Sequence, residues 1–296
     1  MKTFALLSLV GLMAAPAMAQ VNGSLTPAYG SAVSVQTNAT GFGDANLGNA
    51  QGPTNGSELN AAYYRADANN AYLLFTGNLE TNFNKLEIFF STGASGQQQI
   101  SSTLGAMTNL NGFRHDNGFA ATHWISVTGG NNPSELFVDA GALAGGTWGG
   151  GYQGTNNGVG GPLAGGNGST LWSLQVAVDN SNTDGVTGSS AADPLSAATG
   201  IEIAVPWSML GIAPGSLFSV MAFINGGNHD YASNQFLAPL PAGTGNLGGN
   251  GSGTFTGNVG GLDMTQFAGN QFFTVPTPAA AGLFGLAALA AGRRRR

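Results

Sequence analysis

Apolar residues in this chain come in short runs separated by turns rich in Gly, Asn and Ser. Across 85–90, Leu86, Ile88 and Phe90 alternate with Lys85, Glu87 and Phe89, which is the period of a strand. Across 201–205 the apolar side is Ile201, Ile203 and Val205, and Glu202 points away from it. The run 217–224 is apolar on both sides, as befits a central strand covered on both faces. Further strands are expected at 32–36, 61–65, 71–77, 123–128, 135–139, 171–178 and 271–274, with 85–91 completing the central hairpin region. No long segment of the body keeps a helical period. The one helical turn expected there is Trp207–Leu210, directly after Pro206. About ten strands punctuated by turns predict an all-β fold, a single β-sandwich of jelly-roll type. Two glycine-rich stretches, 141–169 and 243–261, exceed ordinary loop length and are expected to be functional surface loops or poorly ordered. Neither repeats at a fixed period, which argues against a solenoid.

The two ends break this pattern. Residues 1–19 place Lys2 before an apolar stretch, then Pro16, then Ala17-Met18-Ala19. A positive start, an apolar centre and small residues at Ala17 and Ala19 define a secretory signal peptide, which implies the Sec translocon and signal peptidase as partners. The last 22 residues, 275–296, read Val275-Pro276-Thr277-Pro278, an apolar run over 279–292, and Arg293, Arg294, Arg295 and Arg296. As a helix, 275–292 reaches the length of a short membrane span, and the arginines would hold its end on the cytoplasmic side. The chain therefore divides into a signal peptide, 1–19, a β-sandwich body, 20–274, and a tail, 275–296.

Charge is sparse. Within 20–274 the basic residues are Arg65, Lys85 and Arg114, against all 14 acidic residues, a net charge of −11. Such a body repels phosphate backbones and excludes nucleic acid as a natural partner. It suits divalent cations or a neutral glycan better. There are no cysteines, so neither disulfides nor thiolate metal sites hold the fold. Glycine, at 49 of 296 residues, disfavours long helices and suits turns and close backbone approaches.

The tail resembles the PEP-CTERM sorting signal, in which a Pro-Glu-Pro motif, a short apolar helix and a basic end are read by an exosortase. Here Thr277 stands where that family has glutamate. The resemblance implies delivery to the cell envelope or extracellular matrix, with the tail cleaved there. A permanent tail anchor is the alternative, and both place the body outside the cell. The run 200–211, GIEIAVPWSMLG, is similar to the strand–proline–short-helix element of family-nine-like carbohydrate-binding modules, which are β-sandwiches. Segments 77–90 and 223–235 also resemble planctomycete-type surface proteins, a likeness that implies export.

Glycan recognition uses aromatic faces exposed beside polar groups. Trp148 and Tyr152, in the 141–169 stretch, are the candidate ligand residues, or else fold back over the sandwich as a lid, while Trp124, Trp172 and Trp207 are expected in the core. Asp179, Asn182 and Asp184 lie in an oxygen-rich segment that reads as an Asx-type hairpin turn, with a calcium site as the alternative. Position 191, where a calcium loop would need glutamate, is alanine. No other cofactor is expected. His229 and Asp230, and likewise His115 and Asp116, would point to opposite faces if they sat on a strand, and a turn in which Asp230 bonds backbone amides is the expected arrangement at 229–230. No nucleophile elbow, zincin motif or phosphate loop is present, so no catalytic residues are assigned. Glu80, Glu87, Asp139 and Glu202 could converge as a hydrolytic carboxylate pair, and nothing in the sequence singles one out.

The expected function is a non-enzymatic structural or adhesive component of the cell surface or extracellular matrix, in contact with extracellular polysaccharide. A carbohydrate-binding module is the alternative, and a glycan-active hydrolase a more distant one. N-terminal sequencing of the exported protein should begin at Gln20. A mature chain still carrying residues before Ala19 would overturn the signal-peptide reading.

Overall fold

The structure, a computed structural model, describes residues 20–43, 56–130, 135–144 and 149–275. The signal segment, Trp148, and the tail from Pro276 to Arg296 lie outside these residues. Strand β1 spans Ser34–Val35, β2 Glu58–Ala66, β3 Asn70–Asn78, β4 Lys85–Ser91, β5 His123–Gly130, β6 Glu135–Ala142 and β7 Gly149–Asn156. Next come β8 Val159–Pro162, β9 Ala164–Gly165, β10 Gln175–Val178 and β11 Gly200–Pro206. The helical turn α1, Trp207–Leu210, is followed by β12 Phe218–Asn225, β13 Ala232–Leu237 and β14 Phe273–Val275. The protein is predominantly β, as the alternation predicts.

These strands form two antiparallel sheets. One runs β1-β2-β3-β11-β10-β8, and the other β13-β12-β4-β5-β6-β7-β9. Strand β14 shares the free edge of β12 with β13: β13 pairs with Ala222, Phe223 and Asn225, and β14 with Phe218, Ser219 and Val220. The strand period decides which side chains meet. Leu73, Phe75, Ile201, Ile203 and Val205 of the first sheet join Leu86, Ile88, Phe90, Ile125, Val127 and Val138 of the second in one buried cluster. Each such side chain removed from water contributes about 1.5–3 kcal/mol, so this shared layer supplies the main driving force for folding.

Both outer faces are covered as well. Over the eight-stranded sheet, Phe89, Trp124, Met221 and Phe223 meet Ile100, Met107, Leu110, Phe113 and Phe119 of the β4–β5 connection, and Leu240, Leu262 and Met264 of the β13–β14 connection. Rings stack here, Phe223 on Phe236 at 4.6 Å and on Phe113 at 5.4 Å between centroids. Over the six-stranded sheet, the N-terminal segment is drawn onto Glu202. That buried carboxylate accepts hydrogen bonds from the backbone N–H of Asn22 (2.8 Å) and Gly23 (3.0 Å), from the Tyr29 hydroxyl and from Arg65 Nη2 (3.0 Å). The Arg65 guanidinium lies 3.6 Å from the centre of the Tyr72 ring.

Four strands were not legible as such. The 141–169 stretch, expected as loop, forms β7, β8 and β9. Glycine is what lets β7 lie so close to its neighbours: a Cβ on Gly150 would stand 2.1 Å from the Ala140 carbonyl oxygen, and one on Gly154 2.4 Å from that of Ala164. Strand β13 reads as polar, yet all its residues are buried, because Ser233 donates to the Ile224 carbonyl and Asn234 to those of Ala39 and Thr244. The expected strand 171–178 begins only at Gln175, and Trp172 before it is half-buried rather than enclosed, while Trp124 and Trp207 are core. Val275, the first residue of the expected tail, is buried and closes β14 opposite Phe218. Among the described residues no helix is long and apolar enough to cross a membrane.

Three buried ionisable groups make stability depend on pH. His115, packed between Phe89 and Phe113, is pushed by burial down to about 3, and His123 to about 4 by the same cause. Asp116 is raised by burial to about 6 and works in the opposite sense. Folded, His115 stays neutral until about pH 3, while unfolded it takes a proton near 6.5. Its contribution is complete above pH 6.5 and is lost as pH falls from there towards 3. Between pH 7 and 4.5 the His115→Leu variant should therefore lose roughly 2–3 kcal/mol less stability than the parent in urea titrations. Equal losses in the two proteins would contradict a neutral, buried His115.

Candidate functional site

The outer face of the eight-stranded sheet is apolar at one end and polar at the other. On β4 the strand period turns Lys85 and Glu87 outward beside Phe89. Register then places Ser126 of β5 opposite Glu87, Asp139 of β6 opposite Ser126, and Tyr152 of β7 opposite Asp139. Thr128 of β5 and Asn225 of β12 flank Lys85 in the same way. Lys85 Nζ donates to Thr128 Oγ1 at 2.8 Å.

Glu87 is fully buried and surrounded by donors. Its Oε2 accepts from Trp124 Nε1 at 2.7 Å, and its Oε1 from Ser126 Oγ at 3.3 Å. His229 Nδ1 stands 2.6 Å from the same Oε1. Burial pushes the Glu87 carboxyl up, but His229, Lys85 and Trp124 outweigh it and hold the group below the usual carboxylate range. Burial lowers Lys85, against the pull of Glu87, Asp139 and Asp230. Asp139 is raised by burial and by Glu87, with Lys85 and His229 opposing.

His229 reaches Glu87 from the turn between β12 and β13. The turn closes through the His229 N–H to the Gly226 carbonyl at 3.0 Å, and His229 itself has φ +54°, a left-handed conformation uncommon outside glycine. Gly226 lies close against the turn's own acid: a Cβ there would stand 2.5 Å from Asp230 Oδ1 and would move that side chain. Two other segments hold the turn down: Val259 N–H donates to the His229 carbonyl (3.0 Å) and Asn109 Nδ2 to that of Asn228 (2.7 Å).

Between the turn, the 3-10 helix Gly105–Leu110 and the loop around 255–257 lies a cavity of about 570 Å³, whose lining includes Lys85, Asn109, Asp139, His229, Asp230 and Phe255. The Phe255 ring is 65% exposed. Ammonium, carboxylates, amide, imidazole and an open aromatic face thus share one concavity, equipped to hold a polar molecule with an apolar face. It can also move a proton at the imidazole.

Of the residues expected from sequence, Tyr152 is half-buried at the margin of this polar row, its hydroxyl raised by burial and by Asp139 and Glu135. Trp148 lies outside the described residues. Trp172 helps to line a smaller cavity, about 360 Å³, with Gln153, Leu163, Leu171 and Gln175. Of the four acids named as a possible pair, Glu87 and Asp139 share this face, whereas Glu202 lies on the other sheet and Glu80 accepts from Asn84 Nδ2 (3.1 Å). His229 and Asp230 sit in a turn, as expected, where alternation does not apply, and there they line the same cavity. Phe255 and Asn109 carry no sequence signal at all. Glu87 carries one, an acid turned to the side of Phe89.

The oxygen-rich turn is occupied by its own bonds. Asn182 Nδ2 donates to Glu58 Oε1 (2.9 Å) and to the Asp184 carbonyl (2.6 Å), while Asp179 Oδ1 accepts from the Ser181 N–H (3.0 Å). Asn180 pairs with both backbone groups of Leu79, and Asp184 is exposed. These are the bonds of an Asx turn. Among the described residues, no group of three or more His, Cys, Asp or Glu side chains could hold a metal ion.

No protein-family model, curated protein or solved structure matches the chain. Chelation of divalent cations should leave the melting temperature of the purified protein unchanged. A fall reversed by added calcium, and abolished in Asp184→Asn, would restore the cation reading of the turn.

Proposed function

We propose that this is an exported surface protein whose body, a β-sandwich, holds an extracellular glycan in the polar cavity of its eight-stranded sheet. Its role is then structural or adhesive, within the cell envelope or extracellular matrix. Two sheets sharing one buried layer support the sandwich, and the signal-like and sorting-like ends support export. One observation carries the binding reading: the exposed Phe255 ring stands in the same cavity as Lys85, Asn109, Asp139 and Asp230. A sugar presents apolar C–H faces and a rim of hydroxyls, and such a site offers a ring for the first and paired donors and acceptors for the second. The acidic body favours a neutral glycan over an anionic one.

A glycan array probed with the purified protein tests this. Specific binding is expected, weakened about tenfold in Phe255→Ala and by a similar factor in Asp139→Asn, the scale of one aromatic contact or one hydrogen bond to a charged group. Binding that is unaffected by both variants would move the glycan site elsewhere. Absence of binding to any glycan would leave a matrix component that acts through its fold alone.

A further inference from the structure

The geometry points to more than binding: we infer that His229 and Glu87 make the cavity a hydrolytic site for ester substituents, such as O-acetyl groups, on the glycan. The inference rests on the glycan-binding reading of the same cavity. Glu87 engages Nδ1 at 2.6 Å, and His229 lines the cavity, which leaves Nε2 as the nitrogen for a substrate. A carboxylate on Nδ1 fixes the tautomer with the proton there and the lone pair on Nε2, the arrangement of a general base. The carboxylate is itself locked, since Trp124 Nε1 and Ser126 Oγ hold its two oxygens. The left-handed backbone of His229, φ +54°, lies in the turn that brings the ring to Glu87 and to the cavity. Lys85, tethered to Thr128 on the adjacent strand, brings a cation to the same concavity.

The reaction these groups support needs only water. Nε2 takes a proton from water as the water oxygen bonds to the ester carbonyl carbon. The carbonyl π pair moves onto oxygen, and the Lys85 ammonium offsets the charge that develops there. Glu87 stabilises the imidazolium. When the intermediate collapses, the bond from carbon to the sugar oxygen breaks and Nε2–H returns the proton to that oxygen. The products are a carboxylic acid and a free sugar hydroxyl, with the dyad restored. His229 is the catalytic base, and Glu87 is a positioning residue that acts through it.

The test is release of acetate from O-acetylated xylan and O-acetylated glucomannan by the purified full-length protein, with glycan affinity and melting temperature measured on every variant. His229→Asn keeps a residue tolerant of positive φ and should lower kcat by about 10²–10⁴-fold while changing affinity far less. Added imidazole should restore part of that rate, an effect a merely structural role would not produce. Glu87→Gln should lower kcat with little change in KM. A parent protein that binds acetylated glycan but frees no acetate would overturn the inference and leave the binding reading intact. A His229→Asn protein that is as active as the parent would also overturn it. A protein that neither binds nor hydrolyses would lose both readings.

Discussion

A carboxylate taken out of water must be surrounded by hydrogen-bond donors, and that requirement, met twice, shapes both outer faces of this protein. In each sheet a buried acid points outward from an inner strand, Glu87 on β4 and Glu202 on β11, and each is then covered. Removing one partner from such a buried pair generally costs about 3–5 kcal/mol, so the covering segments are held in place by more than their own apolar contacts. Glu202 gathers the N-terminal segment through two backbone amides, a tyrosine and an arginine. Glu87 gathers the turn that carries His229. The first arrangement uses every donor to hold the fold together. The second also puts His229 in the wall of a cavity, and on the proposed reading this difference separates a structural acid from a site.

The cavity also depends on how unevenly the eight-stranded sheet is covered. Phe89, Trp124, Met221 and Phe223 provide an apolar landing for the long β4–β5 and β13–β14 connections. One residue pair further along the same strands the surface turns polar: Glu87 and Ser126 are covered, while Lys85 and Asp139 are left facing the cavity. Over Lys85 and Asp139, Asn109, Phe255 and the His229 turn form the walls. The apolar half thus positions the segments that enclose the polar half.

The alternation of apolar and polar residues by itself determined the all-β class, most of the long strands, the helical turn after Pro206 and the outward direction of Glu87 and Glu202. Those properties are local: side-chain direction follows from the strand period, and residues such as Ile201, Ile203 and Val205 sit on one side whatever the strand pairs with. The strands that escaped it, β7, β8, β9 and β13, are built from glycine or polar residues. They are strands because neighbouring strands pair with them at close approach, as β6 does with β7 at Gly150, and that information lies outside the segment itself. Only the tertiary structure decided the site. Glu87, Asp139 and His229 are far apart in sequence, and pairing register and a left-handed turn bring them to one cavity. Register and turn conformation are set by what the rest of the chain packs against, so no pattern within any one segment could carry them.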